Sequence, residues 1–258
     1  MSTNKGFFKE EEMALRLNQK RVGDLNRNIV SFLELLFGPL EQDKTFQCVT
    51  TEGSVKPDVV LTYDGRKRYV SLKSGRSESV HQQIVKDFVL YLRSLGISKR
   101  TQQTILLYHY GDGTMDGSAK ERFPYEKLRM LLAERIAEAN AELNQSNDLI
   151  WIIVRKCIFE GFVDGDQADS FYHGDYDDGV GVTMRQMEKY VKRKNWSYLN
   201  NLHIGPLLLR PCGRYIGREI VNEKRRQRIE AYWPRLKEDL EYISRHCDDT
   251  YYHKTKRK

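Results

Sequence analysis

Apolar residues recur along this chain at two spacings, one helical and one alternating, in blocks that change every ten to thirty residues. Within residues 8–37, Met13, Leu17, Leu25, Ile29, Phe32, Leu33 and Leu36 form a helical stripe. Gly23 divides this stripe and Gly38-Pro39 closes it. Residues 44–50 read as a first strand, and two β-rich runs then flank Asp64-Gly65. A Gly/Ser loop follows, with Ser77 or Ser79 as N-cap of a helix over about 79–95; there Val80, Ile84, Phe88, Tyr91, Leu92 and Leu95 keep helical spacing up to Gly96.

Residues 104–110 are a continuous apolar run between turn signals, which predicts a buried central strand. Two helical stretches are expected next, at about 122–143 and 148–159; the second reads equally well as a buried strand. Residues 161–181, rich in Gly and Asp, read as strand, turn and loop, since the closing Glu of an EF-hand calcium loop is absent. Thr183 caps a helix running to about 194. Strands are expected at 203–210 and 226–233, and Pro234 opens a last helix, 234–246. This order predicts an α/β fold: a mixed sheet flanked by helices, with a C-terminal β-rich elaboration. A single domain spanning 1–258 is expected, its core at about 8–160 and its elaboration at about 161–258.

Composition narrows the class. The chain has 258 residues, of which 40% are hydrophobic and 31% charged, which suits a globular protein with a full core. No apolar run approaches the ~20 residues of a membrane span, and the N-terminus leads into charge, so a cytoplasmic protein without a membrane partner is expected. Cys48, Cys157, Cys212 and Cys247 are widely spaced and form no C-x-x-C pair, which argues against a zinc site or a disulfide framework.

The chemistry concentrates in the hairpin. A two-residue type I′ turn at Asp64-Gly65 sets Tyr63 opposite Arg66 and Asp58 opposite Ser71. Side chains two apart share a face, so Lys73 lies on that face, diagonal to Asp58. A carboxylate, a hydroxyl and an ammonium so arranged have two readings. One is a solvated face with an incidental ion pair. The other is a metal-dependent phosphodiesterase site, with oxygen ligands for a hard dication and a lysine for the attacking water and the phosphate charge.

The segment Pro57-Asp58, then a turn, then Ser71-Leu72-Lys73 resembles the PD-(D/E)XK nuclease superfamily, with Ser71 standing where the motif has Asp or Glu. The resemblance implies a catalytic set of Asp58, Ser71 and Lys73, with Lys73 as the catalytic lysine. It implies metal ligation by Asp58 and the Leu72 carbonyl, Mg²⁺ as cofactor and Mn²⁺ as its substitute. Several members of that superfamily recruit a Glu from the helix before the hairpin. Glu34 is the residue expected here, the other reading being that it faces water. His81 and Gln82, placed in the first turn of the next helix, are second-rank candidates, with a surface or capping role as the alternative for His81.

Charge adds a partner. The formal net charge of +7 favours a polyanion. Basic residues gather at 192–228, where Arg210, Arg214, Arg218, Lys224, Arg225, Arg226 and Arg228 are expected to contact DNA, with Gly213 and Gly217 allowing close backbone approach. The tail 254–258 reads either as a solvated basic end or as a phosphate contact. The layout of residues 205–234 also resembles the C-terminal part of some type II restriction endonucleases. Together these readings point to a Mg²⁺-dependent endonuclease of double-stranded DNA, of the restriction-modification and phage-defence kind, working as a homodimer on a palindromic site. The competing readings are a non-catalytic DNA-binding module of the same fold, and a nuclease acting on RNA or as an antiviral effector.

Overall fold

The computed structural model describes residues 5–53, 56–73, 78–119, 121–198, 201–212, 215–216, 219–220 and 223–247, with backbone alone at 5–9, 215–216 and 219–220. In chain order the elements are α1 (Lys5–Leu17), a 3₁₀ turn (Val22–Asp24), α2 (Arg27–Phe37), β1 (Gln47–Thr50), β2 (Val59–Tyr63), β3 (Arg66–Lys73) and β4 (Ser79–Ile84). There follow α3 (Val85–Ser94), α4 (Lys99–Tyr110), α5 (Tyr125–Leu143), α6 (Asn147–Arg155) and a π-helical turn (Lys156–Glu160). The chain continues through β5 (Ser170–His173), β6 (Val180–Thr183), α7 (Met184–Arg193), β7 (His203–Ile204), β8 (Leu207–Pro211), β9 (Tyr215–Ile216) and β10 (Glu219–Ile220). It closes with α8 (Glu223–Arg226), β11 (Arg228–Tyr232) and α9 (Leu236–His246). The class is mixed α/β, as the order of patterns predicts.

The chain divides into two compact units, and the division does not follow the expected boundary near residue 160. One unit holds residues 1–78, 155–190 and 235–258; the other holds 79–154 and 191–234. The physical reason lies in strand pairing. β5 and β6 come late in the sequence yet complete the first unit's sheet, whose order is β1-β2-β3-β5-β6. β1, β2 and β3 form an antiparallel meander, β5 runs parallel to β3, and β6 antiparallel to β5. A parallel neighbour needs a long crossover, and here the second unit's first segment is carried inside that crossover.

The first unit's core forms against one face of this sheet. Asn26 caps α2 by accepting the Ile29 N–H at 2.8 Å. The helix then buries Ile29, Phe32, Leu33, Leu36 and Phe37 against Phe46, Cys48, Val59, Leu61, Tyr63 and Val70. Phe46 stacks on Tyr63 with ring centroids 4.7 Å apart. The hairpin turn is the one the sequence predicts. Asp64 and Gly65 both take positive φ, 51° and 73°, and Tyr63 pairs with Arg66.

The second unit is built on the antiparallel sheet β4-β11-β8-β7. Two expectations change here. Residues 104–110 are helical, not a strand. Ser98 accepts the Thr101 N–H at 3.3 Å as N-cap of α4, and Gly111, left-handed at φ 64°, donates its N–H to Leu107 to close it. Residues 79–84 are a strand, not the first turn of a helix, because β11 takes them as its neighbour, with Ile229 opposite Gln83 and Ala231 opposite His81. Residues 148–159, which read either way, are helical. Thr183 does cap α7: its hydroxyl accepts the Gln186 N–H at 3.2 Å, and the Gln186 side chain returns a bond to the Thr183 N–H at 3.0 Å. No helix among the described residues is long and apolar enough to cross a membrane.

Gly181 on β6 shows how closely α2 packs on the sheet, since an added Cβ would sit 1.9 Å from Phe32 Cδ2. Gly181→Ala is therefore expected to overpack this contact and cost about 1–3 kcal/mol of stability, read as a lower denaturant midpoint.

Candidate active site

The site grows from the end of the hairpin. The register that pairs Val59 with Val70 brings Asp58 opposite Ser71. The Asp58 N–H donates to the Val70 carbonyl at 3.0 Å, which fixes its backbone. Its Oδ2 accepts two bonds, from the Leu72 N–H at 2.6 Å and from the Ser71 hydroxyl at 3.2 Å. A carboxylate held by a backbone amide and a hydroxyl is oriented before anything binds it. In an extended strand the N–H and C=O of one residue point toward the same neighbour. The Leu72 carbonyl therefore faces the Asp58 side, while the carbonyl of Lys73 turns the other way and accepts the Gly174 N–H at 2.9 Å. Asp58, Ser71, Leu72 and Lys73 thus stand together.

Glu34 does not join them. It is exposed on α2, opposite the face that fills the core, and so takes the water-facing reading of the sequence. The additional carboxylate belongs to Glu10 on α1. Burial is the main reason its pKa rises to about 7 from the usual 4.5; the negative charge of Asp58 adds to the rise, and Lys56 and Lys73 oppose it. Glu10 was legible in principle. It stands three residues before Met13 and seven before Leu17, which are both buried, so it lies on the apolar stripe of α1 where a carboxylate needs a reason.

Lys56 is the second residue that the motif reading passed over. Its Nζ donates to Ser71 Oγ at 2.8 Å, and Ser71 itself is completely buried. The group as a whole contains two carboxylates, two ammonium groups and one hydroxyl, and its formal charges balance.

Whether these residues suit a hard dication is decided by donor chemistry. The Asp58 and Glu10 carboxylates, the Ser71 hydroxyl and the Leu72 carbonyl are all oxygen donors, and Mg²⁺ characteristically takes one or two carboxylates and keeps waters. Among the described residues no group of three or more His, Cys, Asp or Glu side chains is placed to hold a metal ion.

The remaining candidates lie elsewhere. His81 and Gln82 are on β4 in the second unit's sheet, where Gln82 donates to Glu230 at 3.5 Å. Arg210 is held by Glu230 at 2.7 Å and lies over the Tyr232 ring at 3.4 Å. Arg226 is a correction. Its side chain is 3% exposed and bonded at 2.9 Å to Asp112, itself fully buried, and its carbonyl pairs with His109 Nε2 at 2.7 Å. It organises the interior of the second unit and is not placed to meet a phosphate. The reason the sequence misleads is that a buried arginine inside Lys-Arg-Arg-Gln-Arg looks the same as its exposed neighbours. Lys224, Arg225 and Arg228 are exposed. Arg214 and Arg218, with Gly213 and Gly217, the Ser77 cap and the tail 254–258, lie outside the described residues.

Known families do not resolve the site further: no family model matches this chain, and no curated protein matches it.

Two outcomes follow from these placements. Asp112→Ala leaves a buried guanidinium without its buried partner and is expected to cost about 3–5 kcal/mol in chemical denaturation. Glu10 binds its proton more tightly folded than unfolded, so its contribution to stability is complete below pH 4.5 and is lost as pH rises through about 7. Glu10→Gln should therefore match the parent in thermal melting at pH 4 and exceed it at pH 8, while weakening Mn²⁺ binding measured calorimetrically.

Proposed function

We propose that this protein is a Mg²⁺-dependent endonuclease of double-stranded DNA, akin to a type II restriction enzyme and acting as a homodimer on a palindromic site. The observation that carries the reading is the cluster of Asp58, Glu10, Ser71, Lys56 and Lys73 at the mouth of one hairpin. Oxygen donors and ammonium groups in one place match the two needs of phosphodiester hydrolysis, a held water and a neutralised phosphate. Glu10 strengthens the resemblance to PD-(D/E)XK nucleases, because it is a glutamate from a helix preceding the hairpin.

In this reading Asp58, Glu10 and the Leu72 carbonyl would hold the ion, with Ser71 assisting. A bound Mg²⁺ supplies Lewis acidity toward the phosphate and acidifies a coordinated water. The chain's own residues do the rest. Ser71 and the Leu72 amide fix the Asp58 carboxylate, so that it need not reorganise. Lys73 orients the water by hydrogen bonding and offsets the charge that builds on phosphate oxygens. The exposed Lys224, Arg225 and Arg228 contribute to duplex binding, which guanine-reading arginines would make specific.

The balanced charge of the cluster favours a second reading, a DNA-binding module of the same fold that needs no metal. The two readings part in one experiment. Plasmid and phage DNA incubated with the protein and Mg²⁺ should yield discrete fragments, and chelation should stop their formation. Asp58→Ala and Lys73→Ala should each abolish cleavage, by at least about a hundredfold, with melting temperature little changed. DNA retention on a filter without fragments, with or without Mg²⁺, would establish the binding module instead.

A further inference from the structure

We propose that Lys56 is the resident cation of this site: its ammonium is held at Ser71, the position where the motif has an acid, and it binds a non-bridging oxygen of the phosphodiester. The inference rests on the nuclease reading above and extends it to a residue outside the motif.

Three observations carry it. The first is orientation. Ser71 Oγ donates to Asp58 Oδ2 at 3.2 Å, which leaves its lone pairs to accept from Lys56 Nζ at 2.8 Å. The buried hydroxyl therefore aims the ammonium at the carboxylate cluster. The second is confinement. The Lys56 stem lies over Gly161, at the end of the π-helical turn, where a Cβ would come 3.2 Å from Lys56 Cγ. The absence of a side chain there leaves the stem room to lie in this position. The third is charge. An Asp or Glu at position 71 would neutralise Lys56 as an ion pair, whereas a hydroxyl positions the ammonium and leaves its charge available. Ser71 and Lys56 together thus set a fixed monocation at the position where the motif has an acid. A compact ammonium is well suited to a single phosphate oxygen.

The arrangement has a consequence that a merely structural lysine would not share. A fixed cation beside Asp58 and Glu10 disfavours metal in the absence of DNA, and favours the phosphate when DNA is present. Lys56→Met should therefore move two readouts in opposite directions. Calorimetric titration of Mn²⁺ into the full chain without DNA should show binding about tenfold tighter than the parent. Cleavage of plasmid with Mg²⁺ should fall about a hundredfold, as expected for loss of one preorganised charge at the phosphate. Lys56→Arg, which retains the charge, should keep the parent's Mn²⁺ affinity and recover most of the cleavage, and it serves as the control if the Met variant melts early. Unchanged or weakened Mn²⁺ binding in Lys56→Met, or cleavage equal to the parent, would overturn the proposal while the nuclease reading stood. A parent that neither binds Mn²⁺ nor cleaves would overturn both.

Discussion

The hydrogen bond from the Leu72 amide to the Asp58 carboxylate, 2.6 Å long, is the contact on which the candidate site depends. It exists only because the hairpin keeps its register, and the register exists because Asp64 and Gly65 both accept positive φ. A slip of one residue would exchange the faces of β3, taking Val70 out of the core under α2 and turning Ser71 into it. The apolar face that packs under α2 and the polar face that carries Asp58, Ser71 and Lys73 are therefore two consequences of one constraint. Core packing protects the site geometry, since the residues that a slip would take out of the core are among the most buried of the described residues.

Charge sets the second constraint. Burial of the Glu10 carboxyl lifts its pKa to about 7, and the negative charge of Asp58 beside it adds to the rise. Lys56 and Lys73 relieve the repulsion in part. A site that retains such tension instead of replacing it with apolar packing is a candidate for function on physical grounds, because stability alone would favour its removal. The Arg226 and Asp112 pair is the instructive contrast. There the guanidinium meets the Asp112 carboxylate at 2.9 Å in a closed interior, with neither side chain exposed, and Glu223 adds a longer contact at 3.7 Å. Buried charge by itself does not mark a site; charge left partly unresolved at an accessible edge does.

Some of this was legible along the chain. The hairpin, its turn type, the pairing of Tyr63 with Arg66, the placement of Asp58 opposite Ser71, the α2 stripe and the Thr183 cap all follow from local rules: period two, period 3.6, and a few residues with special φ or capping oxygens. Such rules act over a handful of residues, so the sequence by itself determined them. Even α4 was within reach, since Ser98 and Gly111 frame it as caps, although its apolar run imitates a buried strand.

The tertiary structure decided what depends on distant neighbours. Residues 79–84 are a strand because β11, nearly 150 residues later, supplies the hydrogen bonds of their edge. The first sheet recruits β5 and β6 from beyond the second unit's first segment, so the units interleave where a linear reading places one boundary. Glu34 and Glu10 are both carboxylates on amphipathic helices before the hairpin. Which of them approaches Asp58 depends on how each helix is rotated and seated, a property of packing and not of composition. Arg226 and its exposed neighbours differ in the same way, through one aspartate 114 positions earlier that only the folded chain brings to 2.9 Å.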